Sequence, residues 1–285
     1  MNHDILKAED HEKDHSDMEI SLLISAIQTK YGFSFLEYKQ AILKRRILKF
    51  LNDSGKKEIS ELIPLLIHDQ IAFQSFVDAV SVNVTEIFRD PGVFKYIRSE
   101  IIPYLKTFPL VNIWSAGCAT GEEPYSLAIL IAECDLLRRT SIYATDVSSR
   151  AIALAKEGVY HEDELLKNEK HYIESGGQGR LSDYYHSNYN SLIFNEELRK
   201  SISFFEHNLL QDQSFIEAQL IICSNVLIYF NAASQEKIFQ LLYDSLVLGG
   251  YLAIGVKEKV PDKMLGSFFE KVSPEYPIYK KASSG

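Results

Sequence analysis

Basic charge is not in surplus in this chain of 285 residues: 30 Lys+Arg stand against 39 Asp+Glu, a formal net charge of −9. Phosphate binding is read as a surplus of clustered Lys and Arg, so a general nucleic-acid coat protein is excluded and no nucleic-acid partner is expected. Long apolar runs are missing too. No stretch approaches the ~20 residues needed to cross a bilayer, and direct membrane insertion is not expected. Residues 1–20 are polar and His-rich, without the apolar core of a signal peptide. Cysteine is scarce: Cys118, Cys134 and Cys223 are odd in number and lack metal-ligand spacing. That argues against a disulfide framework or a metal site, and for a reducing, cytoplasmic setting. No internal repeat is present. What remains is an ordinary globular composition, 46% hydrophobic and 24% charged, in a length that suits about two domains.

Residues 1–18 read as a disordered, solvated tail, in which His3, His11 and His15 are more readily solvated than metal-binding. From residue 20 to about 82 apolar residues recur at three- and four-residue spacings, with breaks at Gly32, 52–55 and Pro64. With no strand pattern and no glycine-rich turn, residues 19–95 are expected to form a small all-helical domain. From residue 110 the rhythm changes to short apolar runs alternating with helices. Strands are expected at 110–115, 141–145, 202–206, 219–224 and 251–255, and helices at 124–138, 148–156 and 234–246. Such alternation implies an α/β domain over 96–285, built on a mainly parallel sheet. Between residues 160 and 200 the alternation fails, which fits an insertion.

The stretch Ile113-Trp-Ser-Ala-Gly-Cys-Ala-Thr-Gly-Glu-Glu-Pro-Tyr-Ser126 carries the most chemistry. A strand runs into a turn with Gly117 and Gly121, where absent Cβ atoms let the backbone approach a ligand. The spacing G-x-x-x-G is not the G-x-G-x-x-G dinucleotide fingerprint. Glu122 and Glu123 suit a helix N-terminus but would repel a pyrophosphate. A ligand bearing an ammonium and a sulfonium suits them better, which favours S-adenosylmethionine over NAD. Asp146 ends the second strand, where a carboxylate can accept the two hydroxyl protons of a ribose or cap the next helix. Asn208 after the third strand is placed to bond an adenine amino group, and Asn225 after the fourth faces the same crevice; either asparagine can instead stabilise a turn.

These residues bring a family into view. The chain resembles the chemotaxis-receptor glutamate methyltransferases, the CheR family, through Asn83-Val-Thr-Glu-Ile-Phe-Arg89-Asp-Pro, the glycine-turn motif, His207-Asn-Leu209 and Cys223-Ser-Asn-Val-Leu-Ile-Tyr-Phe230. The resemblance spans about residues 20–280. It implies a class I, Rossmann-like methyltransferase domain behind the helical one, with a small antiparallel β-subdomain inserted at about 160–200. It also implies S-adenosylmethionine as cofactor, S-adenosylhomocysteine as product, and Asn83, Thr85, Arg89, Ala116, Gly117, Gly121, Glu122, Glu123, Asp146, Asn208, Leu209, Asn225 and Val226 as the cofactor-binding set. Asn83, Thr85 and Arg89 are implied to lie against cofactor or substrate carboxylate, Glu122 or Glu123 to hold the methionine moiety, and Tyr229 to border the transfer site. Arg89 and Tyr229 are the catalytic candidates. A guanidinium suits the gripping of a carboxylate.

Between Tyr38 and Phe50 five basic residues occur and no acidic one, with Leu43, Ile47, Phe50 and Leu51 on one helical face. A run of this kind is often only a solvated face. The resemblance implies that Lys44, Arg45, Arg46 and Lys49 dock an acidic helical region of a chemoreceptor or other signalling protein, the enzyme acting as a monomer. Three departures bear on the substrate. Ser224 stands where the family commonly has Arg, Gly255-Val-Lys-Glu258 replaces a Gly-His-Ser-Glu-like segment, and residues 188–199 lack the Gly- and Arg-rich form that binds a receptor tether. The rival readings are a methyltransferase for another acceptor and a non-catalytic cofactor-binding sensor or scaffold.

Overall fold

A computed structural model of the protein describes residues 2–81, 85–161, 168–188 and 190–282. The chain divides into two compact units, residues 1–82 with 229–231, and residues 83–228 with 232–285. Residues 83–95, assigned above to the helical domain, therefore go with the second unit. Ile87, Phe88, Val93 and Phe94 explain this, because they are buried in its core.

The first unit is helical: α1 (Asn2–Tyr31), α2 (Gln40–Asp53), α3 (Leu62–His68) and α4 (Gln70–Val80). Because α1 starts at Asn2, the segment expected as a disordered tail is helical. No glycine or proline precedes Gly32, and Glu, Lys and Ala favour helix. Gly32 ends α1 at φ +68° and Gly55 follows α2 at φ +67°. Pro64 does not break the chain. It lies in the first turn of α3, where a missing N–H costs nothing. Leu23, Ile27, Leu43, Ile47, Leu62 and Phe76 share one core. Tyr229–Asn231 completes this unit. Lys39 N donates to Tyr229 O at 2.8 Å and Asn231 N to Glu37 O at 2.8 Å.

The second unit opens with α5 (Pro91–Tyr96), which continues through a π-helical turn at Ile97–Ile101 into α6 (Ile102–Leu105). Then come β1 (Val111–Ala116), α7 (Glu122–Glu133), β2 (Thr140–Asp146), α8 (Ser149–Glu157) and β3 (Val159–His161). After these follow α9 (Glu169–Glu174), β4 (Tyr185–Asn188), β5 (Ser191–Phe194), α10 (Glu196–Ser201), β6 (Ile202–Glu206), β7 (Ala218–Cys223), α11 (Ala232–Asp244), β8 (Leu246–Ile254), β9 (Phe269–Lys271) and β10 (Ile278–Lys281). The main sheet has the order β6-β2-β1-β7-β8-β10-β9. Its first five strands are mutually parallel, and β7, buried at all six residues, reads as the continuous apolar run such a position needs. Chain order runs outward from β1 through β2 to β6, then restarts at β7, so the sheet reverses between β1 and β7. In open α/β sheets ligands collect at that point.

Two features depart from the sequence reading. Of the last strands, β10 pairs antiparallel with β8 and β9 pairs antiparallel with β10, and β8 begins at Leu246 rather than 251, passing Gly249 at φ +75°. A glycine pair at 249–250 reads as a turn, yet here it lies within a strand whose register with β7 shifts.

The three-stranded antiparallel sheet β3-β5-β4 lies in the segment where the family resemblance implies a β-subdomain. Glu133 at the end of α7 anchors it. One carboxylate oxygen pairs with Arg98, and the other accepts from the hydroxyls of Tyr172 and Tyr184. Glu133→Ala would leave Arg98 and both hydroxyls without their shared acceptor in a nearly closed site. Removing one partner of a buried ion pair costs about 3–5 kcal/mol. Chemical denaturation is expected to show a loss of that size, with protease sensitivity appearing first at residues 172–194.

Candidate cofactor cleft

Four loops leave the carboxyl ends of β6, β2, β1 and β7 on the same side of the sheet. The turn after β1 is the most constrained. Gly117 at φ +79° and Gly121 at φ +100° adopt left-handed backbone, and Ala119 joins them at φ +48°. Gly117 N and Cys118 N both donate to Thr145 O, at 2.7 and 2.9 Å, so the turn is moored to β2. A Cβ on Gly117 would collide with Val226, and one on Gly121 would lie 2.8 Å from Ala155 Cβ. Neither turn glycine tolerates a side chain.

Asp146 ends β2 and is buried. Its Oδ2 accepts from Ala119 N at 2.9 Å and its Oδ1 from Ser148 N at 3.0 Å. The helix-cap role belongs instead to Ser148, whose hydroxyl accepts from Ala151 N. Asp146 O also accepts from His207 N, which brings Asn208 and Leu209 to the same edge. The side chain of Asn208 serves its own turn. Its Oδ1 accepts from Leu210 N at 3.0 Å, and its Nδ2 donates to Gln211 Oε1 at 3.1 Å. The turn-stabilising alternative therefore describes its contacts in this structure.

The acidic pair opens α7, with Gly121 as its N-cap. Glu122 Oε2 accepts from Thr120 Oγ1 at 2.7 Å, and Glu123 Oε1 from Ser115 Oγ at 2.7 Å. Dense surrounding protein pushes the Glu123 carboxyl up to about 7; Glu258 adds to the rise, while Ser115, Arg89 and Ser224 oppose it. Arg89 is thus electrostatically coupled to Glu123. It sits between Phe88 at φ +52° and Asp90 at φ +56°, two side-chain-bearing residues in left-handed backbone. Such strain persists only where surrounding structure holds it. One such hold is Phe88 N, which donates to Ser126 Oγ on α7 at 2.8 Å. Thr85 lies on the approach to this loop. Asn83 lies outside the described residues.

On the β7 side, Asn225 is left-handed at φ +61°, and its Oδ1 is buried with no hydrogen-bond partner among the described residues. Val226 packs on Gly117, and Ala116 is buried. Tyr229 groups with the helical unit rather than with these loops. On α2, Arg45 and Lys49 are exposed, Lys44 pairs with Asp17 at 2.6 Å, and Arg46 Nε is buried without a partner among the described residues. Sequence reasoning missed Ser115, Thr120 and Tyr160, whose hydroxyl donates to Thr120 O at 2.6 Å. It noted Glu258 only as part of a variant segment.

A parallel sheet that reverses at a glycine turn, with acidic residues opening the next helix and an orphaned acceptor at Asn225, defines a Rossmann-like S-adenosylmethionine-dependent methyltransferase. A backbone cradle closed to side chains and an acidic lining fit a cationic nucleoside. The family model for the CheR methyltransferase SAM binding domain matches residues 83–274, and that for the CheR methyltransferase all-alpha domain matches residues 18–81. The chain belongs to the CheR methyltransferase family. Cher3 of Pseudomonas putida is 39% identical over 268 residues, covering 94% of this chain and 98% of that protein. A chemotaxis protein methyltransferase of Listeria monocytogenes is 31% identical, covering 82% of this chain and 87% of that one. One of Borreliella burgdorferi is 29% identical, covering 85% and 88%.

The elevated Glu123 carboxyl generates a test on the ligand-free protein. Its folded value of about 7 lies above the ordinary 4.5, so the folded state holds the extra proton between those values. The contribution to stability is full below about 4.5 and is lost as pH rises through about 7. The stability difference between wild type and Glu123→Gln is expected to move in favour of the variant from pH 5 to pH 8, read by urea denaturation. A difference independent of pH would refute it.

Proposed function

We propose that this protein transfers a methyl group from S-adenosylmethionine to glutamate side chains of a chemoreceptor or related signalling protein. The reading is carried by the match of both CheR domain models in order along one chain. The names of the Listeria and Borreliella relatives supply the chemotaxis context.

When bound, S-adenosylmethionine supplies an activated methyl group on a sulfonium centre. In this reading Asp146, whose carboxylate is buried at the end of β2, accepts the ribose hydroxyls. Glu122 or Glu123 holds the ammonium of the methionine moiety, and Asn225 offers its unpartnered oxygen. Asn208 and Leu209 border the adenine. Arg89, coupled to Glu123, grips a carboxylate, whether of the methionine moiety or of the acceptor. Asn83 and Thr85 belong to the same motif, and Tyr229 follows the Asn225 turn in sequence. A glutamate acceptor has a pKa near ~4.3 and is already ionised at neutral pH. No residue of the chain must therefore remove a proton. Alignment is the main task, and well-oriented pairs gain roughly 7–11 kcal/mol from it.

The acceptor would be brought by α2. Leu43, Ile47 and Leu51 are buried on one face, which leaves Arg45 and Lys49 in solvent to meet an acidic helix. Local charge of this kind steers association despite the −9 net balance. The double variant Arg45→Glu/Lys49→Glu is expected to slow methylation of a receptor substrate by about tenfold or more, an effect that shrinks at high salt, while S-adenosylhomocysteine binding is unchanged.

The reaction class is tested with methyl-labelled S-adenosylmethionine and membranes plus cytosol from the source organism. Carboxyl methyl esters release volatile methanol in mild base. Base-labile label is expected, and base-stable label would overturn the glutamate assignment. Arg89→Ala is expected to cut transfer by about a hundredfold or more, since a charge-assisted pair contributes several kcal/mol, while the thermal midpoint stays within a few degrees. Unchanged turnover would remove Arg89 from the site.

A further inference from the structure

The segment Gly255-Val-Lys-Glu258 follows β8, away from the glycine turn in sequence, yet its carboxylate reaches across to the loop after β7. Glu258 is buried, 9% exposed. Its Oε2 accepts from Gly255 N at 2.8 Å and from Asn225 N at 3.0 Å, and its Oε1 accepts from Ile228 N at 3.1 Å. Leu227 N lies on the same carboxylate. No ion pair involves Glu258 among the described residues. Burial pushes its carboxyl above the ordinary range, and the backbone amides oppose that rise only in part.

These donors bracket one turn. Asn225, at φ +61°, holds a conformation costly for a residue with a side chain, and Glu258 grips both sides of it, at 225 and at 227–228. Between the grips lies Val226, the side chain that fills the space a Cβ on Gly117 would need. Gly255 is similarly confined: a Cβ there would lie 2.8 Å from both Asn225 N and Glu258 Oε2. A chain of contacts thus runs from the end of β8, through the carboxylate, to the turn after β7 and on to the glycine turn after β1.

We propose that Glu258 is a positioning residue that fixes the separation of the two loops flanking the cofactor cleft, holding Val226 against Gly117 and Asn225 Oδ1 in place. A carboxylate is needed because the groups that hydrogen-bond to it are all backbone N–H donors. Glutamine offers one oxygen and turns an NH2 toward at least one backbone N–H. Shortening to aspartate keeps the charge but retracts it by one methylene.

The test uses the full chain, S-adenosylhomocysteine as the probe, and no methyl acceptor, so its outcome is separate from that of the glutamate assignment. Glu258→Gln is expected to weaken S-adenosylhomocysteine binding by about tenfold or more, because each amide–carboxylate bond contributes on the order of a tenfold factor. In the ligand-free protein, hydrogen exchange is expected to accelerate at 225–228 and at 117–120 while β7 stays protected. Glu258→Asp should recover part of the affinity. If Glu258→Gln does not fold, Gly255→Ala reads the same clamp from its other side, by pressing on Asn225 N. A folded Glu258→Gln protein with wild-type affinity and native protection at 225–228 overturns the proposal. So does a loss of protection spread evenly over the sheet, which is what a merely structural residue would give.

Discussion

The contact between Gly117 and Val226 sets the terms for the rest of the cleft. One residue lies on each side of the point where the parallel sheet reverses, and the space between them admits no additional carbon. Everything that builds the site serves to hold that approach. Thr145 O moors the glycine turn from the β2 side, Asp146 ties Ala119 to the start of α8, and Glu258 holds the opposite loop. The backbone of the turn pays in left-handed conformations at Gly117, Ala119 and Gly121, and two of the three are residues for which that conformation is inexpensive.

Electrostatics within this frame are uneven. Glu123 and Glu258 are close enough for each to disfavour the other's charge, and Arg89 is the cation coupled to Glu123. The two carboxylates solve their burial differently. Glu258 is met by converging amides, though burial still holds its carboxyl above the ordinary range, whereas Glu123 has the hydroxyls of Ser115 and Ser224 and the charge of Arg89, and its carboxyl rises to about 7. An anionic pocket with an incompletely neutralised carboxylate is suited to a cation. It is poorly suited to the pyrophosphate that the same fold binds elsewhere.

How much of this was legible in the sequence follows from the range of the forces involved. The strands at 110–115 and 219–224 were readable because burial on both faces of a parallel sheet leaves a continuous apolar run. The glycine turn was readable because only glycine fits a close approach at positive φ. By contrast, β9 and β10 are short antiparallel strands, β10 on β8 and β9 on β10, whose pairing is set by the sheet edge rather than by local pattern. The helix from Asn2 was missed because polarity was weighed above propensity. Glu258 was visible as a letter in a motif, but its partners at Asn225 and Ile228 lie 33 and 30 residues away in sequence and are backbone amides, which no side-chain pattern encodes. Asn208 shows the converse. A residue type suited to adenine is occupied with Leu210 and Gln211.

The membership of Tyr229–Asn231 in the helical unit bears on how the chain is made. That unit is encoded almost entirely by the first 82 residues, yet its last backbone bonds, to Glu37 and from Lys39, await residues emerging about 150 positions later. At the ~5–20 residues per second of synthesis, the nascent helices must persist for several seconds or more with one edge unfinished. The first 82 residues therefore emerge as an unfinished unit, and its last backbone bonds form only once the chain has been translated past β7.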